Sequence, residues 1–188
     1  MVYCAMKFLM ELRKDGDVSC DSYQIRRAGR AIIFNESGEV AIVNVTRDGY
    51  YKIPGGGVED GEDIRPAVIR EVKEEAGCEI EIVGEIGVII EFLNNLGILQ
   101  INYCFVAKAT KQESTSFTQE EKNAGFTMEW HSLDRALELM KNACPQKYRH
   151  WFMAQGILDL CRRLLRTIFQ SKRSDCAIHD YRARSCRD

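Results

Sequence analysis

The sequence has no two cysteines in the close pairing that a structural zinc site requires. Its eight cysteines are scattered along 188 residues, and none belongs to a Cys-x-x-Cys pair. Zinc-finger ligands usually come in such pairs, so a structural zinc is not expected. Disulfide frameworks are typical of short secreted chains, and we therefore expect mostly reduced thiols in a cytoplasmic protein. Cys104, within the apolar segment INYCFVA, is predicted to lie in the core.

An excess of charge of one sign is also missing. Lys and Arg number 26 and Asp and Glu number 28, which gives a formal net charge of −2. Recruitment of nucleic acid or of an anionic membrane by a general electrostatic field needs a strongly basic surface, so neither partner is expected. No apolar stretch has the length of a membrane span. Lys7 interrupts the apolar run near the N-terminus, which argues against a signal peptide.

The remaining composition is that of a globular domain, with 45% hydrophobic and 29% charged residues. We predict a lead-in segment with weak structure at 1–23, a single domain at 24–170 and a disordered tail at 171–188. The N-terminal segment is also a candidate contact of a homodimer.

Runs rich in isoleucine and valine, separated by turn residues, predict strands, and the first two are expected to form a hairpin. The predicted strands lie at 26–35, 39–45, 50–53, 78–93, 98–109 and 126–130. The predicted helices lie at 63–76, 132–143 and 148–169. This order of elements indicates an α/β domain whose mixed sheet is covered by helices on both faces. The polar stretch 110–125 is predicted to be a functional or mobile loop.

The helix at 63–76 has one apolar stripe, because Ile64, Val68, Val72 and Ala76 recur every four residues. Asp63 is the predicted N-cap of this helix, and Gly77 is predicted to end it. A different side of the helix is expected to hold Ala67, Arg70, Glu71, Glu74 and Glu75.

Three glutamates on one patch of a helix repel one another unless a cation lies between them. Carboxylate oxygens are the ligands that Mg²⁺ and Mn²⁺ prefer, and Mg²⁺ is often shared with substrate phosphates. The glycines at 55–57, just upstream, allow the main chain to approach an ion or a phosphate closely. The pattern therefore favours a metal and phosphate site, and the alternative is a solvated glutamate-rich helix surface.

The joint spacing of these residues decides between the two interpretations. GGVEDGEDIRPAVIREVKEEAGC, residues 56–78, resembles the Nudix box, G-x5-E-x7-R-E-U-x-E-E-x-G-U, in which U is a bulky aliphatic residue. Every fixed polar and glycine position of that motif is present, and only the last U departs, since Cys78 occupies it. The order of elements over about 25–135 is similar to a Nudix domain as well. The resemblance implies a Nudix-type α/β/α sandwich and a hydrolase of the MutT-like family.

The resemblance also implies roles for the matching residues. Nudix enzymes cleave the diphosphate linkage of nucleoside diphosphate derivatives with Mg²⁺, for which Mn²⁺ can substitute, by attack of water at phosphorus. The implied metal ligands are Glu71, Glu74, Glu75 and the carbonyl of Gly56. The implied catalytic residues are Arg70, Glu71 and Glu74, with Arg70 orienting a glutamate. Glu71 is either a ligand or the general base, and Glu62 would be an outer-shell partner.

Candidate site residues also lie outside the box. Many family members add an acid from a later loop, and Glu120 and Glu121 are the candidate auxiliary acids, each with a solvated loop as the alternative. Arg30 and Tyr51 are the candidates for binding substrate through a phosphate contact and ring stacking, although an exposed strand face and core packing are the alternatives. His131 and His150 have no paired ligand and receive no role.

Two further functions compete with hydrolysis. A Nudix-fold nucleotide sensor or interaction module would bind without turnover, and a broken glutamate set would be its sign. An isomerase on the same fold would depart further from the motif. The intact glutamate set favours the hydrolase, and the substrate is expected to be a small nucleotide-type molecule whose identity the sequence does not indicate.

Overall fold

The computed structural model describes residues 6–13, 22–145, 147 and 150. The predicted tail and, apart from His150, the predicted helix at 148–169 lie outside the described residues. The strands are β1 Phe8–Leu12, β2 Gln24–Phe34, β3 Val40–Val45, β4 Tyr50–Lys52, β5 Cys78–Leu93, β6 Ile98–Gln112 and β7 Phe126–His131. The helices are α1 Ile64–Ala76, α2 Gln119–Asn123 and α3 Leu133–Asn142. Among these described elements no helix is long and apolar enough to span a bilayer.

One mixed sheet organises the domain. Its strand order is β1-β5-β6-β2-β3-β4, and β7 pairs with β3. Strands β5 and β6 are antiparallel over most of their length, whereas β2 runs parallel to β6. The six strands predicted from isoleucine and valine content correspond to β2 through β7.

Strand β1 was not expected. Phe8–Leu12 pairs in parallel with β5, so the prediction of weak structure is wrong for this part of the lead-in segment. The five-residue run FLMEL is too short to show a periodicity of its own. It becomes a strand because the edge of β5 offers backbone hydrogen-bonding groups that need partners.

Both faces of the sheet are buried. On one face α1 packs against Ala31, Ile33 and Phe105, and on the other α3 packs against Ile32 and Ile42. Successive residues of β2 thus enter different cores, as the alternation of a strand requires. This arrangement of helix, mixed sheet and helix is the predicted α/β/α sandwich.

Three local predictions have mixed outcomes. Asp63 lies at the N-cap of α1, but its side chain makes no capping hydrogen bond, whereas the Ser132 hydroxyl accepts one from the Arg135 amide in α3. Gly77 ends α1 with a left-handed φ of 58°. The stretch 110–125 is not one loop, because β6 continues to Gln112 and the short helix α2 forms within it.

Candidate functional site

The glycine loop is held against β2. The Gly29 amide donates to the Gly56 carbonyl at 3.0 Å, and the Val58 amide donates to the Arg27 carbonyl at 3.1 Å. These bonds explain why β2 pairs with β3 only at Phe34 and Val40, next to their connecting turn. The free edge of β2 is used by the loop, so the hairpin prediction holds only at its tip. The loop is therefore fixed by the sheet and by α1 beside it.

Arg70 connects the loop to the acidic side of α1. Its Nε and Nη2 donate to the two carboxylate oxygens of Glu62 at 3.1 and 3.0 Å, and Nη2 also donates to the Gly57 carbonyl at 3.1 Å. Its Nη1 donates to Glu71 at 2.9 Å and lies 3.8 Å from Glu74. Hydrogen bonding to Glu62 raises the pKa of Arg70 and lowers the pKa of Glu62. One guanidinium thus offsets the repulsion among these carboxylates.

Glu71 lies directly against the glycine loop. A Cβ built on Gly56 would collide with the Glu71 carboxylate, so a larger residue at this position would displace that carboxylate. Burial raises the pKa of Glu71, the charges of Glu75 and Glu74 add to that increase, and the hydrogen bond from Arg70 opposes it. The carboxylate is accordingly in an environment that favours either a proton or a nearby cation.

Glu75 is not on the exposed patch with Glu74. Its side chain is 2% exposed, against 42% for Glu74, and Ala67 is buried as well. Residues 68 and 75 are seven apart, almost two full turns, so Glu75 follows Val68 on the buried side of the helix. The prediction that places Ala67 and Glu75 on the polar side is wrong for this reason.

Lys52 is the buried partner of Glu75. The sequence did not lead us to predict a role for this lysine. The ammonium lies 2.5 Å from Glu75 Oε1, while Glu75 Oε2 accepts the Gly55 amide at 2.9 Å. Tyr50 and Lys52 are both buried, as strand alternation places them on one face. The sequence did contain a signal for an inward-facing Lys52. This lysine lies two residues after Tyr50 on the same strand face, immediately before the glycine loop.

Arg30, a candidate phosphate contact, lies against the glycine loop and not on an exposed strand face. It is buried, and its Nη1 donates to the Gly55 carbonyl, which also lies 3.4 Å from the Lys52 ammonium. The Gly56 carbonyl accepts a backbone hydrogen bond from β2, whereas the Gly55 carbonyl contacts Arg30 and Lys52 and the Gly57 carbonyl contacts Arg70. Tyr51 is partly buried and packs against the core on the α3 face, which is the alternative interpretation of that residue.

The candidate auxiliary acids lie on α2. Glu120 and Glu121 help to line a cleft of about 340 Å³ that also includes Tyr50 and Phe126. The carboxylate of Glu121 accepts hydrogen bonds from the Thr118 amide and hydroxyl in a capping box. This structural role accounts for Glu121, and Glu120 is the acid of the pair without it.

The oxygen donors fit a hard divalent cation in chemical type. They comprise three glutamates of α1 and the Gly55 carbonyl, which already attracts two cationic side chains. The carboxylates are directed at Arg70 and Lys52 in this structure. Accordingly, in the part of the chain that the structure describes, no group of three or more His, Cys, Asp or Glu residues is arranged to hold a metal ion.

Comparison with known proteins places these residues in a family context. The NUDIX domain family model matches residues 24–152. Nudix hydrolase 10 of Arabidopsis thaliana is 37% identical over 79 residues, which cover 42% of this chain and 25% of that protein. Diphosphoinositol polyphosphate phosphohydrolase 2 of Homo sapiens is 24% identical over 136 residues, which cover 71% of this chain and 72% of that protein.

Other relatives are matched over part of their length or by fold alone. The uncharacterized Nudix hydrolase YvcI of Bacillus subtilis is 28% identical over 105 residues, 54% of this chain and 63% of that protein. The chain thus spans a quarter of the Arabidopsis relative and under two thirds of YvcI. A NUDIX hydrolase structure from Nitrosomonas europaea has a TM-score of 0.56, with 19% identity, over 72% of this chain and 88% of that one. The C. elegans Ap4A hydrolase structure has a TM-score of 0.53, with 18% identity, over 77% of this chain and 99% of that one.

Proposed function

Because this chain belongs to the NUDIX domain family, we propose that it hydrolyses the diphosphate linkage of a nucleoside diphosphate derivative with a divalent metal. The observation that carries the proposal is the set of contacts made by Arg70. This one side chain bonds Glu62, Glu71 and the Gly57 carbonyl, and so assembles loop and helix into one anionic site. A solvated helix surface has no need of such a hub, since each exposed glutamate would be hydrated separately.

The metal would be held by Glu71, Glu74 and Glu75 together with a carbonyl of the glycine loop. Gly56 supplies the carbonyl that the motif implies, and the Gly55 carbonyl is the one that Arg30 and Lys52 contact. Mg²⁺ is the expected ion, with Mn²⁺ as a substitute, because all of these donors are hard oxygens. When bound, the ion neutralises the diphosphate and lowers the pKa of a coordinated water.

The chain's own residues supply position and proton transfer. Glu71 is partly buried, touches the loop and is oriented by Arg70, so it can accept a proton from the attacking water or act as a ligand. Arg70 in turn is held by both oxygens of Glu62, which keeps the guanidinium from swinging toward solvent. Glu74 is the more exposed carboxylate and would face the substrate side.

Within this proposal we assign binding of the substrate's phosphates to two arginines of β2. Arg30 reaches the Gly55 carbonyl, and a Cβ on Gly57 would lie 3.4 Å from Nη2 of Arg26. Arginine pairs well with phosphate because its planar donors can bind two oxygens at once. A cleft of about 380 Å³ continues from Arg26 along the start of β2 and leaves room for the part of the substrate beyond the diphosphate.

The test is a panel of substrates assayed for Mg²⁺-dependent release of phosphate-containing products. The panel includes normal and oxidised nucleoside triphosphates, nucleotide sugars, dinucleoside polyphosphates and diphosphoinositol polyphosphates. The last two classes are included because relatives carry those names. We expect turnover of at least one class, and metal chelation should abolish it.

Glu74→Gln provides the matched variant for this assay. Its side chain is 42% exposed, so the neutral amide should leave the fold intact by circular dichroism while turnover falls at least about 100-fold. Tight nucleotide binding by the wild-type protein without turnover of any substrate would instead support the sensor or interaction module.

A further inference from the structure

A lysine ammonium occupies the innermost anionic position of this site. Lys52 Nζ lies 2.5 Å from Glu75 Oε1 and 3.4 Å from the Gly55 carbonyl oxygen. The side chains of Lys52 and Glu75 are 7% and 2% exposed, so the pair is almost completely removed from water. The second oxygen of Glu75 accepts the Gly55 amide at 2.9 Å. Both oxygens of Glu75 are therefore in use within the protein.

The two oxygens that Lys52 contacts are of the types that a hard divalent cation selects. One is a glutamate carboxylate oxygen, and the other is a main-chain carbonyl of the glycine loop. A cation that binds Glu75 beside the loop must enter the space where the ammonium now lies. The ion and the ammonium would compete for the same Glu75 and Gly55 oxygens, and their mutual repulsion opposes binding of both at once.

We propose that Lys52 is a tethered cation that competes with the divalent metal for Glu75 and thereby sets the metal affinity of the site. The proposal rests on the metal-dependent function above. In the absence of metal, the Lys52 ammonium occupies the position beside Glu75, and the metal must displace it. In this exchange the Lys52 ammonium leaves Glu75 and the Gly55 carbonyl as the metal binds.

The chemistry of lysine suits this exchange. Its ammonium is a point charge on a flexible stem of four carbons, and it makes no two-pronged contact with the carboxylate. Displacement therefore breaks one ion pair with Glu75 and one longer contact with the Gly55 carbonyl. The ammonium is 5.2 Å from the centroid of the Phe126 ring, which lines the cleft on the α2 side. That ring can stabilise the cation on its way out of the site.

A positive charge must lie beside the Glu75 carboxylate both in the metal-free and in the metal-bound protein. A buried carboxylate without a partner is strongly unfavourable, and removing one member of a buried pair usually destabilises a protein. Lys52 supplies the balance before the metal binds. Removal of the lysine should therefore have two effects of opposite kind, namely lower stability without metal and tighter binding of metal.

The experiment measures Mn²⁺ binding by the electron paramagnetic resonance signal of free Mn²⁺. The variants are Lys52→Met and a control, Lys111→Met. Lys111 loses the same charge, but it is 62% exposed and pairs with Glu79 and Glu113. We expect Lys52→Met to bind Mn²⁺ at least about tenfold more tightly than wild type, while Lys111→Met stays within about twofold.

Thermal unfolding gives a second readout that is independent of activity. Lys52→Met should unfold at a lower temperature than wild type without metal, and Mn²⁺ should raise its midpoint by more than it raises that of wild type. If Lys52→Met does not fold, Lys52→Gln replaces it, because a neutral amide can still donate to Glu75 and Gly55. Lys52→Arg keeps the charge and should bind Mn²⁺ no more tightly than wild type.

The outcomes separate this inference from the proposed function. Equal or weaker Mn²⁺ binding by the neutral variants overturns the role of Lys52, even where wild type hydrolyses a substrate. Tighter binding supports it, even where no substrate of the panel is cleaved. Absence of Mn²⁺ binding to wild type and to both neutral variants overturns the role of Lys52 together with the metal-dependent function.

Discussion

Arg70 binds both carboxylate oxygens of Glu62, through Nε at 3.1 Å and Nη2 at 3.0 Å, across the start of α1. The two residues are eight positions apart in sequence, and the paired hydrogen bonds of the guanidinium connect the segment after the glycine loop to the helix. The remaining donors of Arg70 are then aimed at Glu71 and at the Gly57 carbonyl. Glu62 thus acts on the site through Arg70.

Replacement of Arg70 by lysine should reduce activity much more than stability. Lysine keeps the charge but cannot hold both oxygens of Glu62 while also contacting Glu71. We expect kcat to fall about 100-fold, with a loss of about 1 kcal/mol in the free energy of unfolding. Steady-state kinetics and urea unfolding check the two values. Arg65→Lys is the control, because Arg65 is 54% exposed and pairs with Glu85; equal losses in both variants would contradict the role of Arg70.

Gly56→Ala should impair the site by displacing Glu71. The new Cβ would collide with the Glu71 carboxylate, which must move away from the loop. We expect kcat to fall at least about 100-fold and Mn²⁺ binding to weaken, since misplacement by about 1 Å is costly in catalysis. Gly84→Ala is the matched control, because a Cβ there meets nothing within 4 Å. Unchanged turnover in Gly56→Ala would show that the position of Glu71 is not critical.

Gly29 and Val68 should be energetically coupled. A Cβ on Gly29 would collide with the Val68 side chain, so α1 can approach β2 only because residue 29 is glycine. Gly29→Ala is expected to destabilise the fold by about 2 kcal/mol through overpacking. Val68→Ala should cost about 2 kcal/mol through a cavity, and the double variant should cost clearly less than the sum. Chemical denaturation of the four proteins measures the coupling, and strict additivity would contradict this contact.

Glu91 should make stability depend on pH. It is buried in the sheet beside Gln100, and burial raises its pKa against the opposing effects of Arg30, Asn102, Gln100 and Arg26. A carboxyl whose folded pKa is raised stabilises the protein most below its unfolded pKa. That stability is lost as the pH rises from about 4.5, the ordinary value, through the folded pKa.

The variant Glu91→Gln isolates this effect. Its amide does not titrate, so the difference in free energy of unfolding between variant and wild type should shift in favour of the variant as pH rises through that window. Urea unfolding from pH 4.5 to 8 gives the two curves. Parallel curves would mean that Glu91 is ionised in the folded protein as readily as in the unfolded one.

Local patterns predicted most of the fold correctly. The isoleucine and valine runs marked β2 through β7, and the spacing from Gly56 to Gly77 marked the loop, the helix and its end. These features depend on neighbours in sequence, which is why periodicity and turn residues reveal them. β1 was not predicted because five residues show no pattern of their own, and its partner, β5, is far away in sequence.

The acidic site was predicted in its members but not in its arrangement. The motif identified Arg70 and the glutamates; Arg70 contacts Glu62 and Glu71, and its orienting role stays a prediction. A helical wheel cannot say which flank of a buried stripe faces a neighbouring strand. Glu75 therefore appeared exposed with Glu74, although it lies inward against Lys52.

The sequence by itself determined the family, the mixed α/β architecture and the set of residues that carry charge at the site. Those properties follow from local spacing and composition, which need no knowledge of distant partners. Only the tertiary structure decided where each charge lies: β2 holds the glycine loop in place of β3, Arg70 neutralises the outer carboxylates, and Lys52 neutralises the inner one. The ion pair between Lys52 of β4 and Glu75 of α1 depends on how the strand and the helix pack against each other. Neither segment has a local pattern that predicts this contact.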